Sequence, residues 1–145
     1  MDRRAMLKGT AGMALALGAL QAEGQAGAAD GGVGPETVYE LRTYHLNEGK
    51  LPLILERFKT KETAIFARLG MHGVGYWTPT DEPLAGRTLV YMLRHRSRAA
   101  ATESWKRFSS DPEWVALKAV TEKDGTFVTL HESTFLKLTD FSPAV

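Results

Sequence analysis

Val38-Tyr39-Glu40-Leu41-Arg42-Thr43-Tyr44-His45 is rich in Tyr, Thr and Val and ends at an Asn47-Glu48-Gly49 turn, the pattern of a β-strand. Side chains alternate between the two faces of a sheet. One face of this strand therefore carries Tyr39, Leu41, Thr43 and His45, and the other Val38, Glu40, Arg42 and Tyr44. A carboxylate, a guanidinium and a phenol thus stand in a row. In water such a row is ordinary; lining a cavity, it is a binding site.

Downstream of the turn, Leu51, Ile54, Leu55, Phe58, Ile65, Phe66 and Leu69 recur at the three-four spacing of a helix with one buried face, interrupted at Glu62. Gly49 or Asn47 can cap its start, Pro52 is tolerated in its first turn, and Gly70 suits its C-terminal end. Residues 71–79 predict a second strand in which Gly73 and Gly75 mark a bulge or a close backbone approach. Residues 80–86 form a turn, and residues 88–94 a third strand. Ser97 is placed to cap a helix through Phe108. Asp111-Pro112-Glu113 starts another, reaching about Val120, before Lys123-Asp124-Gly125 breaks it. Residues 127–138 make the last strand, and 139–145 a tail.

The order β-α-β-β-α-β defines an α+β, ferredoxin-like fold, whose helices lie on one face of the sheet. In the third strand Leu89, Tyr91 and Leu93 face one way and Val90 and Met92 the other, so both faces are apolar and both should be covered. The helices cover one. A second copy of the sheet is the simplest cover for the other, because large apolar patches are rare on monomers. Counting layers thus predicts a homodimer.

The ends and the composition bound the rest. Arg3-Arg4 precedes an Ala/Gly/Leu stretch from Gly9 to Leu20 and a small-residue site at Ala26-Gly27-Ala28. This is the plan of an export signal in its twin-arginine form, cleaved near Ala28, and its apolar run is too short to anchor the chain in a bilayer. The expected organisation is a signal peptide at 1–28, a flexible leader at 29–36 and one domain at 37–145, delivered to the periplasm or beyond. Without residues 1–28 the chain loses Arg3, Arg4 and Lys8 of its 18 basic residues and Asp2 and Glu23 of its 17 acidic ones. Fifteen of each remain, with no net formal charge. Such a chain lacks the basic footprint of a nucleic-acid partner. With no cysteine it has neither disulfides nor thiolate chemistry.

Tyr39-Glu40-Leu41-Arg42-Thr43-Tyr44, the Gly49-Lys50 turn, Gly73-x-Gly75-x-Trp77, Trp105, Asp111-Pro112-x-Trp114 and the closing Phe135-Leu136-Lys137-x-x-x-Phe141-Ser142-Pro143 together resemble the NIPSNAP family. Leu138 stands where that family commonly has proline. The resemblance spans residues 37–143 and implies a dimeric α/β barrel in which two ferredoxin-like sheets face each other. It carries over no catalytic residues. The wider superfamily holds cofactor-free oxygenases, haem-degrading and haem-binding proteins and plain ligand binders, and fold cannot choose among them.

Residue chemistry gives the candidates. Glu40, Arg42 and Tyr44 are expected inside the barrel, with Arg42 fixing an anionic or carbonyl oxygen and Tyr44 offering a hydroxyl. The competing reading is a structural ion pair, with each other or with Glu132 on a neighbouring strand. Trp77 and Tyr91 are expected to line an apolar pocket, whereas Trp105 and Trp114, on the outer helices, are expected to pack the core. Tyr44 is also a catalytic candidate, with His72 beside the glycine-rich strand and then His131. His131 and Glu132 point to opposite faces. No two of the four histidines (His45, His72, His95, His131) have metal-ligand spacing, so no metal site is expected. No cofactor is predicted, though a lone His leaves haem open. The expected function is binding of a small, mostly apolar organic molecule; as an enzyme, the protein would carry out cofactor-independent oxygenation or isomerisation. The alternatives are a non-catalytic scaffold dimer and a haem protein.

Overall fold

The computed structural model describes residues 32–145, so the expected signal peptide and the first leader residues lie outside the described residues. Strand β1 (Val38–Leu46) is followed by α1 (Leu51–Arg57), a π-helical turn (Phe58–Glu62) and α2 (Thr63–Arg68). Then come β2 (His72–Trp77), β3 (Thr88–His95), α3 (Arg98–Ser110), α4 (Pro112–Thr121) and β4 (Val128–Leu136). The four strands form one antiparallel sheet in the order β2-β3-β1-β4, the ferredoxin-like plan.

Local chemistry explains the boundaries. Lys50 precedes α1 without a side-chain cap, so neither Gly49 nor Asn47 caps the helix as expected; Gly49 instead takes a positive φ of 74° in the turn. The Ser97 hydroxyl accepts from the Ala100 N–H at 3.0 Å, and Asp111 accepts from both the Glu113 and Trp114 N–H groups at 3.1 Å. In β2 the pairing slips between Gly73 and Gly75. This bulge puts Gly73 and Tyr76 on one face and His72, Gly75 and Trp77 on the other, an assignment that simple alternation misses.

The helix after β1 departs from the regular pattern. A π turn adds a residue to the helical repeat and brings residues five apart into line. Arg57 Nε accordingly donates to Glu62 Oε2 at 2.8 Å, and both side chains are buried. Glu62 does not interrupt the buried stripe; it belongs to it. Leu55, by contrast, falls on the outer side.

The core lies between the helices and one face of the sheet. Ile54, Phe58, Ile65 and Phe66 of the first helical stretch pack on Tyr44, Leu46, Leu89, Tyr91 and Leu93, with Phe108 and Phe127 at the edge. The opposite face presents Leu41, Val90 and Met92 half-buried and Trp77, Leu130 and Leu136 exposed. It is the apolar second face expected from β3.

Gly70 ends α2 with φ +84°, and a Cβ placed there would lie no closer than 3.8 Å to Ser104 Oγ. The position is roomy but left-handed. Gly70→Ala should therefore cost about 1–2 kcal/mol in urea unfolding through backbone strain alone, with Gly70→Asn costing less.

Candidate functional site

β1 sends Glu40, Arg42 and Tyr44 toward the helices, not toward the open face of the sheet. This corrects the expected location: the row lies between sheet and helices of one subunit rather than between two sheets. The cause is the strand register. Glu40, Arg42 and Tyr44 pair across from Leu93, Tyr91 and Leu89, the β3 residues that the helices cover.

Glu40 is fully buried and accepts four hydrogen bonds. His95 Nε2 (2.8 Å) and Trp105 Nε1 (2.7 Å) donate to Oε2, while Arg42 (2.6 Å) and Ser133 Oγ (2.7 Å) donate to Oε1. Burial works against its charge, but the donors from His95, Trp105, Ser133 and Arg42 outweigh it and hold the carboxyl down to about 2. Among the described residues His95 Nδ1 is buried without a partner, which places the ring proton on Nε2, facing Glu40.

From Arg42 a second chain of hydrogen bonds runs outward. Arg42 Nε donates to Tyr91 Oη at 2.9 Å, and Tyr91 donates to Tyr44 Oη at 2.7 Å. The Arg42 guanidinium also lies over the Trp105 ring, 4.1 Å from its centroid. The expected ion pair and the expected binding row are thus the same residues. Arg42 pairs with Glu40 and stands across from Ser133, not Glu132.

Arg42 and Tyr44 form the floor of a cleft of about 330 Å³, with Glu40 and Tyr91 beneath them. Val128, Thr129 and His131 of β4 continue the lining, and Arg57, Glu62, Trp105, Phe108, Trp114, Lys118 and Glu122 complete it. The volume is at the low end for small-molecule sites, and the rings of Trp105, Phe108 and Trp114 stand among charged and polar side chains. His131 reaches the cleft and meets Tyr44 edge to face at 6.3 Å. Trp105 and Trp114, expected only to pack the core, also line it.

Three of the expected residues lie elsewhere. Glu132 pairs with His45 at 2.8 Å on the open sheet face, and His72 and Trp77 are exposed on that face across the bulge. They cannot share a site with Arg42 and Tyr44 in one subunit. Tyr91 is fully buried and supports Tyr44 from behind. Among the described residues no group of three or more His, Asp or Glu is placed to hold a metal ion.

Glu62 is the cleft residue that sequence reasoning passed over. Burial raises its carboxyl to about 7, only partly offset by Arg57, whose guanidinium also donates to Glu122 Oε1 at 2.9 Å and Thr121 Oγ1 at 3.2 Å. A buried carboxyl with a near-neutral pKa in a cleft is a candidate proton carrier. The only sequence sign was a charged residue inside an apolar stripe.

Two outcomes follow for the network. Trp105→Phe keeps the ring but removes a donor to a buried carboxylate, and should cost about 2 kcal/mol in chemical unfolding. The folded Glu40 carboxyl ionises more readily than the unfolded one, so its contribution is complete above pH 4.5 and disappears as pH falls to about 2. That loss should reach about 3 kcal/mol and be missing from the acid limb of Glu40→Gln, as stability-versus-pH curves would show.

Comparison with known proteins agrees with this architecture. A family model described as NIPSNAP matches residues 39–143. A solved NIPSNAP domain protein from Burkholderia xenovorans, itself uncharacterized, is 23% identical, with 74% of this chain and 99% of that one covered and a TM-score of 0.62. A NIPSNAP family protein from Agrobacterium tumefaciens is 24% identical over 74% of this chain and 97% of its own, with a TM-score of 0.64. A Nitrosomonas europaea protein assigned as an antibiotic biosynthesis monooxygenase is 9% identical, covers 77% and 98%, and has a TM-score of 0.53, which is a likeness of fold alone. No match was found among curated proteins. The chain belongs to the NIPSNAP family.

Proposed function

We propose that this protein binds a small, mostly apolar organic molecule in the cleft between helices and sheet, with Arg42 and Tyr44 holding its polar end. The cleft itself carries the reading. Trp105, Phe108 and Trp114 supply flat apolar walls, and the convergent polar groups stand on the floor, already positioned by Glu40 and Tyr91. Positioning that precedes binding reduces the entropy lost when a ligand is fixed. Cofactor-independent oxygenation or isomerisation fits this geometry, because a proton carrier and an oxygen-holding pair line the same cleft.

The protein works as an exported homodimer in this reading. The paired arginines and small-residue site direct export, and a second copy covers Leu41, Val90, Met92, Trp77, Leu130 and Leu136. No helix among the described residues is long and apolar enough to cross a membrane, which suits a protein released after translocation. A haem reading gains little support, since the cleft is small for a macrocycle and His131 sits exposed at its edge. A colourless preparation is expected, and a Soret band would reverse that judgement.

Native mass spectrometry of protein isolated from its exported fraction should show a retained small molecule. Tyr44→Phe and Arg42→Met should each weaken its retention about tenfold, roughly one lost polar contact. Retention unchanged in both variants would place the ligand elsewhere. Light scattering should give twice the chain mass, and a stable monomer at micromolar concentration would leave the open sheet face unexplained.

A further inference from the structure

Glu62 and Tyr44 bring complementary hydrogen-bonding capacity to the same cleft. The Tyr91 hydroxyl is completely buried, and the oxygen within its reach is Tyr44 Oη at 2.7 Å. Its proton must go there, or a buried donor is left unsatisfied. Tyr91 Oη in turn accepts from Arg42 Nε. Tyr44 Oη thus receives Tyr91 and, at 3.5 Å, Arg42, so its own proton finds no acceptor among the described residues. Tyr44 lines the cleft, and that proton faces it.

Glu62 is the reverse case. Its Oε2 accepts from Arg57 at 2.8 Å, and among the described residues nothing donates to Oε1. The π turn aims this carboxyl into the cleft, because a regular α-helical repeat would not align Arg57 with a residue five positions on. A free hydrogen-bond donor and a free proton acceptor therefore border one cleft. A carbonyl compound with an acidic neighbouring C–H bond satisfies both.

Building on the cleft as a ligand site, we propose that Glu62 is a catalytic base that removes the α-proton of a carbonyl compound whose oxygen is held by the Tyr44 hydroxyl. The C–H bond breaks and its proton passes to Glu62 Oε1. The electron pair of that bond becomes the C=C bond of an enolate, and the carbonyl π pair moves onto oxygen, where the Tyr44 hydrogen bond stabilises it. Return of the proton to the same carbon gives exchange, and return to a conjugated carbon gives an isomer; neither needs an oxidant. Burial holds the Glu62 carboxyl near neutrality, so it can both take and return the proton at physiological pH.

The test uses 2-tetralone, 1-indanone and cyclohex-2-enone in deuterium oxide, with binding followed by saturation-transfer NMR and α-hydrogen exchange by loss of proton signal. At least one ketone should bind and exchange above the buffer rate. Glu62→Gln should retain binding and lose exchange about a hundredfold, Glu62→Asp should recover part of it, and Tyr44→Phe should lose about tenfold. Thermal melts identify any variant that has failed to fold. Binding without exchange in the native protein, or exchange that survives Glu62→Gln, overturns the catalytic role while the binding site stands. If none of the three ketones binds, both the base and the cleft as a site for such molecules fall.

Discussion

The buried Glu40 carboxylate is the interaction on which the arrangement turns. Its four donors come from β1, β3, α3 and β4, so one charge ties the sheet's central strand to both neighbours and to a covering helix. Removing a carboxylate from water is costly unless hydrogen bonds replace the lost hydration. Here they do, and the same bonds fix Arg42, whose other donors fix Tyr91 and Tyr44. The order of the cleft floor is inherited from a residue beneath it.

The two faces of the sheet divide the labour. The helix side holds the aromatic core and, beside β4, the cleft. α4 has no fully buried residue, and its Trp114 and Lys118 line the cleft. Trp114 stacks on Phe108 at 4.5 Å, and the Arg68 guanidinium grips Asp111 through two 2.8 Å contacts at the start of α4. The other face carries no helix among the described residues, and its His45–Glu132 pair belongs to that separate environment. Residues adjacent in sequence, such as His131 and Glu132, thereby take part in unrelated surroundings.

Much of this was readable from residue patterns. Alternation in β1 put Glu40, Arg42 and Tyr44 on one face, and the caps at Ser97 and Asp111 marked two helix starts. Which face the helices would choose was not readable, because both faces of β3 are apolar. Register decides which residues meet across strands: the Gly73–Gly75 slip turns Trp77 away from Arg42, and the β1–β4 pairing sets Ser133 rather than Glu132 opposite it. Glu62 escaped for a related reason: a period of 3.6 leaves it inside the stripe as an anomaly, whereas the π turn makes it a partner of Arg57. The tryptophans of α3 and α4 were assigned to packing, which is correct but incomplete, since a ring at the edge of a core can also wall a cleft.

A preorganised floor facing a buried, near-neutral carboxyl is the central claim, and Glu62 reports on it directly. The side-chain carboxyl ¹³C resonance of Glu62, assigned by its disappearance in Glu62→Gln, can be followed from pH 4 to pH 9. A midpoint near 7 is expected. A midpoint close to 4.5, the value of an exposed glutamate, would mean that water reaches this group freely, and the cleft would be an ordinary solvated groove.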